Sequence, residues 1–298
     1  MRISRVRVAL TITAAAVCTV AATARAVVAR SPDPRVANTR GVGPDVVLIS
    51  GLLGGTARLA PLGDSLEHAG FRVTTIDPYA LGADAADVSF HGMARQIDSL
   101  LAANEVESAV IVAHGHATSI ALCLAAESPE RVQQLVLLDG GVLASPSSPG
   151  ITRALRIASF VAHLPFGKAF IRSRVVADIR ANSGDTRWLT KAVAREYTDP
   201  IITRLPEVTR LARRLAAARE VETPAALVAR VHTDIMLLVG AKPHESEPDP
   251  NELAPLAALS TVRIERIAGV GHFMYEEIPS TIVRAVQDAH SRSVAESR

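Results

Sequence analysis

The chain alternates short, continuous apolar runs with segments of helical periodicity, and this alternation restricts its fold more than any other feature. Continuous apolar runs are typical of strands that are buried on both faces of a parallel sheet. Parallel strands need crossover connections, so the alternation predicts an α/β fold with a mostly parallel, doubly wound sheet. The predicted strands are 46–50, 71–76, 109–113, 134–138, 235–239 and 262–267, and the predicted helices between and after them are 60–69, 91–103, 116–127 and 280–290.

The pattern changes between residues 145 and 230, where helical segments occur without a convincing strand. The clearest of these segments are 188–196 and 207–219. Because this stretch lies between two predicted strands, we expect it to be a helical insertion that covers the carboxyl edge of the sheet. The predicted organisation is an α/β core at 45–143 and 233–298 with a helical cap at 144–232.

The N-terminus has the layout of a secretory signal. Residues 2–7 contain three arginines, residues 8–24 are apolar or small and uncharged, and Ala-x-Ala patterns follow. We therefore expect residues 1–26 to be a signal peptide and the protein to be exported or associated with the cell envelope. An uncleaved N-terminal membrane anchor is the alternative. Turn-forming residues at 27–44 predict a linker.

Charge and cysteine content exclude several classes of function. The formal net charge is +2, and removing the four arginines of residues 1–26 leaves 28 basic against 30 acidic residues, a net of −2. With aromatic residues at only 3%, we expect no nucleic-acid partner. Cys123 is the one cysteine beyond the N-terminal apolar run, which holds Cys18. An internal disulfide or a cysteine zinc site is therefore excluded in the predicted core.

Five local patterns follow one another along the predicted core. They are Ser50–Gly55 after the first strand, Asp77–Gly82 after the second, Val112–Thr118 after the third, Ser128–Val132 before the fourth, and Gly269–Phe273 followed by Glu-Glu-Ile-Pro. In this order and spacing they resemble the α/β-hydrolase superfamily, in particular its capped, lipase- or epoxide-hydrolase-like branch. The resemblance covers roughly residues 45–143 and 233–290, and it implies the fold rather than an activity.

The resemblance implies a nucleophile at the sharp strand-to-helix turn, and that position is Gly115. Glycine has no side chain that could form an acyl-enzyme, so the nucleophile position is vacated. Thr118 and Ser119 are nearby in sequence, but we expect them inside the following helix with their hydroxyls turned away. Glycine also relieves the backbone strain that such a turn imposes.

The same resemblance assigns the general base to His272 and leaves the acid in doubt. The family pattern Gly-x-x-Asp ends here in Pro243, so two of the three triad positions are expected to be lost. Asp139, at the end of a predicted strand, is the preferred substitute acid. Glu245 and Glu247 are further alternatives.

Backbone groups complete the predicted site. The N–H groups of Leu52 and His116 would form an oxyanion hole, with Gly51 in the same loop, and could bind a ligand carbonyl or carboxylate. His114 and His116 form a His-x-His pair, but we expect their side chains to diverge at the turn. We therefore predict neither a metal site nor a cofactor.

Two functions remain open on this basis. The first is a non-catalytic hydrolase-fold protein that binds a small apolar ligand under the cap, or an envelope protein partner. The second is an enzyme without a covalent nucleophile, in which His272 activates water or abstracts a proton from an ester, lactone or epoxide-like substrate. The second differs from the first in requiring an acyl-type substrate under the cap.

Overall fold

The computed structural model describes residues 37–52, 55–83, 85–146 and 149–296. The predicted signal peptide at 1–26, with its anchor alternative, lies outside the described residues. Within the described ranges, no helix combines the length and the hydropathy needed to cross a bilayer.

Seven strands form one sheet: β1 (Ala37–Arg40), β2 (Asp45–Ile49), β3 (Arg72–Ile76), β4 (Ala109–His114), β5 (Val132–Leu138), β6 (Ile235–Gly240) and β7 (Val262–Ile267). Their order across the sheet is β1-β3-β2-β4-β5-β6-β7. Only β1 pairs antiparallel, with β3, and every other neighbouring pair is parallel. The predicted α/β class and mostly parallel sheet are confirmed.

Strand β1 lies within the segment 27–44 that was predicted to be a linker, so this prediction is wrong for Ala37–Arg40. An edge strand needs only one partner and little burial. Here Thr39 and Thr74 place their hydroxyl oxygens 3.0 Å apart, and Ala37 is buried. The short polar sequence Ala-Asn-Thr-Arg carries no apolar run, which is why its pattern did not indicate a strand.

In the described part of the chain, twelve α-helices accompany the sheet. They are α1 (Gly55–His68), α2 (Pro78–Leu81), α3 (Phe90–Ala103), α4 (Ala117–Glu127), α5 (Pro149–Val161), α6 (Gly167–Ala181), α7 (Lys191–Thr203), α8 (Leu205–Ala217), α9 (Pro224–Val228), α10 (Pro250–Ala257), α11 (Met274–Glu277) and α12 (Pro279–Glu296). Helices α5 to α9 are inserted between β5 and β6, and we refer to them as the helical insertion.

The core is divided by the sheet into two apolar layers. Successive residues of one strand point to opposite faces, so Val47 and Ile111 enter one layer while Val46 and Val110 enter the other. Because β4, β5 and β6 are neighbours and parallel, their carboxyl ends meet at one edge of the sheet. The residues that follow these strands are thereby brought together.

A buried cation joins the helical insertion to the core. Arg58 on α1 is 5% exposed, and its Nε donates to Glu276 Oε1 over 2.9 Å. The same guanidinium donates to Glu196 on α7, and the neighbouring Tyr197 hydroxyl donates to Glu276 over 3.0 Å. Because both carboxylates face a buried positive charge, α7 is held close to α1 and α11.

Candidate active site

Gly115 occupies the turn between β4 and α4. Its φ is +55°, in the left-handed region that favours glycine, and its N–H donates to the Leu138 carbonyl over 2.8 Å. A Cβ placed on Gly115 would lie 3.0 Å from Cε1 and 3.3 Å from Nε2 of His272. The vacated position therefore faces the reactive nitrogen of the imidazole directly.

The nearest hydroxyls do not take over this position. Thr118 Oγ1 donates to the carbonyl oxygens of Gly115 and Gly141, at 2.8 and 2.7 Å. Ser119 Oγ accepts the Leu143 N–H over 2.9 Å. Both side chains are fully buried in the first turn of α4. Their hydroxyls serve the backbone around the turn, as the sequence indicated.

Asp139 lies against His272 at the carboxyl end of β5. Its Oδ2 is 2.7 Å from His272 Nδ1, and its Oδ1 accepts the Gly240 N–H over 2.9 Å. Burial acts to raise the pKa of Asp139, but hydrogen bonds from His244 and His272 outweigh it and hold that pKa well below its usual range. An ionised carboxylate thus fixes the tautomer of His272 and leaves Nε2 facing Gly115.

The acid reaches the histidine from β5 rather than from β6. Pro243, where the family pattern would have its carboxylate, is exposed, and Glu247 pairs instead with Arg266 at 3.1 Å. Asp139, the substitute acid that the sequence analysis preferred, is thus the carboxylate that lies against His272, while Gly115 leaves the nucleophile position without a side chain. The carboxyl ends of β5 and β6 are adjacent in the parallel sheet, so a carboxylate at the end of β5 can reach the same imidazole as one at the end of β6.

A second histidine, missed by the sequence analysis, shares the same carboxylate. His244 Nε2 is 2.8 Å from Asp139 Oδ2, and His244 Nδ1 is 2.7 Å from the Lys242 carbonyl oxygen. A carbonyl and a carboxylate only accept, so both ring nitrogens of His244 donate and the ring is cationic. Burial lowers the pKa of His244, but the bonds to Asp139 and Lys242 outweigh it and raise that pKa. The only sequence signal was its place in the loop after β6.

Among the residues that the structure describes, Asp139, His244 and His272 form a group whose residue types could hold a metal ion, with ligand atoms within 4.8 Å of one another. Tetrahedral zinc with bonds of about 2.0–2.1 Å would separate neighbouring ligand atoms by about 3.3 Å. The 2.7 and 2.8 Å separations between Asp139 Oδ2 and the two imidazoles are hydrogen-bond lengths. We therefore interpret the group as two imidazoles donating to one carboxylate.

The cationic state of His244 can be tested by NMR. At pH 7.5, where a free imidazole is mostly neutral, we expect protons on both ring nitrogens of His244 in spectra of ¹⁵N-histidine-labelled protein. The reason is that each nitrogen faces an acceptor. The His244→Gln variant assigns the signal, and a neutral His244 with one protonated nitrogen at this pH would contradict the interpretation.

His114 is buried beneath the site and donates from Nε2 to the His272 carbonyl over 2.8 Å. Burial, and after it the nearby His272, lower the pKa of His114 to about 3. The imidazole therefore stays neutral in the folded protein at pH values where it is protonated in the unfolded chain.

This neutrality predicts a loss of stability in mild acid. Between pH 7 and pH 5 the unfolded state gains a proton at His114 that the folded state does not, so stability falls by about 2 kcal/mol through this group. We expect His114→Gln, which keeps a donor, to remove that part of the pH dependence in urea denaturation. His68→Gln, on the exposed face of α1, is the matched control. An unchanged pH dependence in His114→Gln would contradict the assignment.

The predicted oxyanion groups flank the turn. The N–H groups of Leu52 and His116 donate to no residue that the structure describes. Gly51 is needed for packing, since a Cβ there would lie 2.7 Å from His114 Nδ1. His116 Nδ1 lies 2.7 Å from the Tyr79 hydroxyl, on a different side from His114, and burial lowers its pKa to about 4.

The turn that follows α6 closes the site from the side of the helical insertion. The carbonyl of Asn182 accepts the His272 N–H over 2.7 Å, and its side-chain oxygen accepts the Ser246 N–H over 3.0 Å. Glu277 Oε2 accepts the N–H groups of Gly184 and Asp185, both over 2.9 Å. The loop that carries the base is thus bonded to the insertion through main-chain groups.

Comparisons with known proteins agree with the fold. A family model described as the α/β-hydrolase fold matches residues 44–164. A thermophilic esterase from Thermogutta terrifontis is 19% identical over 87% of this chain and 93% of its own, with a TM-score of 0.67. A meta-cleavage product hydrolase from Pseudomonas fluorescens is 16% identical over 86% of this chain and 94% of its own, with a TM-score of 0.65.

An α/β-hydrolase fold protein from Burkholderia ambifaria is 20% identical over 85% of this chain and 93% of its own, with a TM-score of 0.66. At these identities the likeness is one of fold. A search of curated protein sequences gives no match.

Proposed function

Because this chain has the α/β-hydrolase fold, we propose that it is a hydrolase-fold enzyme that works without a covalent nucleophile. His272 acts as general base toward a small acyl-type substrate, an ester or lactone, held above Gly115 under the helical insertion. The observation that carries the proposal is the intact Asp139–His272 pair, 2.7 Å apart, whose free nitrogen faces the vacated position. A base that retains its carboxylate partner is equipped to move protons.

The chemistry follows from the atoms present. A water molecule above Gly115 gives a proton to His272 Nε2, and its oxygen attacks the substrate carbonyl carbon. Asp139 stabilises the imidazolium that results, while the N–H groups of Leu52 and His116 stabilise the developing oxyanion. When the tetrahedral intermediate collapses, His272 returns the proton to the leaving alkoxide, so the products are an acid and an alcohol.

The second candidate is a non-catalytic protein that binds a small apolar ligand or an envelope protein partner. The vacated nucleophile favours it, because loss of a triad serine costs about 10⁶-fold in turnover in a well-studied protease. The two free N–H groups would then bind a ligand carbonyl or carboxylate without reaction. In this case the Asp139–His272 pair serves only to hold the loop after β7.

The two candidates are separated by measuring turnover and binding on the same protein. Purified protein is offered a panel of short- and medium-chain esters and lactones, and small molecules that co-purify are identified by mass spectrometry. The proposal expects turnover that His272→Ala removes, with no burst and no acyl-enzyme in the mass spectrum. Turnover that persists in His272→Ala, or silence across the panel with a bound molecule retained in both proteins, would favour the binder.

A further inference from the structure

The helical hairpin of α5 and α6 exposes an unusual set of apolar side chains. Eight large apolar residues are exposed in the described chain, and five of them fall between residues 157 and 170. The five are Ile157 at 54%, Phe160 at 72%, Leu164 at 49%, Phe166 at 89% and Phe170 at 57% exposure. We call these five residues the hairpin patch. A cluster of this kind marks a surface for binding rather than scattered exposure.

The distribution of phenylalanine makes the patch stand out. The chain has six phenylalanines, and three of them, Phe71, Phe90 and Phe273, are buried at 5% or less. The other three all lie in the patch. Phe166, the most exposed, stands at the tip of the hairpin between α5 and α6 with φ at +63°. The left-handed backbone at this tip turns a phenylalanine outward where glycine would be the usual residue.

The inner face of the same hairpin packs against other helices of the insertion and does not involve the hairpin patch. Leu155, Ala158 and Val161 on α5 pack against a small cluster formed by Ile171, Ile201 and Leu205. The outward apolar residues therefore do not contribute to this packing. A helix that is apolar on both faces needs an apolar neighbour on each of them.

The charge around the patch indicates what that neighbour is. Residues 149–177 contain five arginines and lysines and no acidic residue. Arg153, Arg156 and Lys168 are exposed, and none of them forms an ion pair with a residue that the structure describes. Two copies of such a surface would repel each other, whereas an anionic surface with an apolar interior complements it on both counts.

We propose that the hairpin patch docks the protein onto an anionic lipid bilayer, with Phe160, Phe166 and Phe170 entering the headgroup region. Arg153, Arg156 and Lys168 then face the lipid phosphates. Helix α6, about 20 Å long, runs from the patch to Asn182, whose carbonyl accepts the His272 N–H, so the patch and the base lie at opposite ends of this helix. The proposal is independent of whether the site is catalytic.

The test is co-sedimentation of the full chain with vesicles of phosphatidylcholine alone or with 30% phosphatidylglycerol. Binding is expected to be at least tenfold stronger on the anionic vesicles and to weaken as salt is raised. The double variant Phe160→Ser, Phe166→Ser and the double variant Arg156→Glu, Lys168→Glu should each lower the partition coefficient at least tenfold. The matched controls are Val221→Ser, 80% exposed away from the patch, and Arg263→Glu, with 71% of its side chain exposed.

A reporter at the tip distinguishes docking through the patch from attachment elsewhere on the chain. The Phe166→Trp variant should shift its emission to the blue on anionic vesicles, beyond any change of the native Trp188. Equal binding by native and patch variants, or no emission shift, would overturn the proposal. So would concentration-dependent self-association that the patch variants abolish, since the occupant would then be a second copy.

Discussion

The Gly115→Ser variant is expected to hydrolyse p-nitrophenyl acetate and butyrate at least about 100-fold faster than Gly115→Ala, because the new hydroxyl would face an imidazole that is already paired with the Asp139 carboxylate. The added Cβ lies 3.3 Å from His272 Nε2, which brings the hydroxyl within reach of the base. A pre-steady-state burst and an acylated peptide containing residue 115 would identify the covalent route. The native protein should show neither.

Alanine is the matched control because it shares every cost of the substitution except the hydroxyl. Both variants place a Cβ at φ +55° and 3.0 Å from His272 Cε1. The left-handed backbone costs about 1–2 kcal/mol, and the ring must shift by a few tenths of an ångström. If the two variants are equally active while both are folded, the pair and the oxyanion groups are not organised for catalysis.

The Asp139→Asn variant is expected to unfold with a free energy about 3 kcal/mol lower than the native protein at pH 7. The fully buried carboxylate accepts from His244, His272 and Gly240, and an amide would turn a donor toward at least one of them. Urea denaturation measures the difference. Asp178→Asn, whose exposed side chain pairs with Arg174, is the control and should change stability by less than about 0.5 kcal/mol.

The pH dependence of this difference has a definite sign. The pKa of Asp139 is lowered in the folded protein, so its contribution is fully present above the unfolded value near 4. The contribution is lost as the pH falls below that value, and the native protein should then approach the variant. A difference that is constant between pH 7 and pH 3 would show that the charge is not what stabilises the site.

The sequence predicted the middle of the sheet well because β4, β5 and β6 are buried on both faces. All six predicted strands are present. A continuous apolar run such as Val110 to Ala113 must be buried on both faces, and the interior of a parallel sheet provides that environment. Strand β1 escaped prediction because an edge strand with one buried residue leaves no apolar pattern. In the insertion, the predicted segments 188–196 and 207–219 overlap α7 and α8, whereas α6 mixes charged and apolar residues without one clear apolar stripe.

Gly115, Asp139 and His272 were predicted from the sequence, but the hydrogen bond between His244 and Asp139 was not. Gly115, Asp139 and His272 follow β4, β5 and β7, whose carboxyl ends lie along the same edge of the parallel sheet, so the resemblance could place them. The cationic His244 depends on two acceptors that meet only in three dimensions, the Lys242 carbonyl and the Asp139 carboxylate. A lone histidine after a proline carries no pattern that distinguishes this role from an exposed one.

The turn after α6 connects the helical insertion to the loop that carries His272. The Asn182 carbonyl accepts the His272 N–H, the Gly184 N–H donates to the Glu277 carboxylate, and a Cβ on Gly271 would lie 2.4 Å from the Asn182 carbonyl oxygen. Displacing the whole helical insertion would therefore break the main-chain hydrogen bond that holds the His272 loop. A substrate route that leaves the base in place must therefore leave the Asn182–His272 bond unbroken.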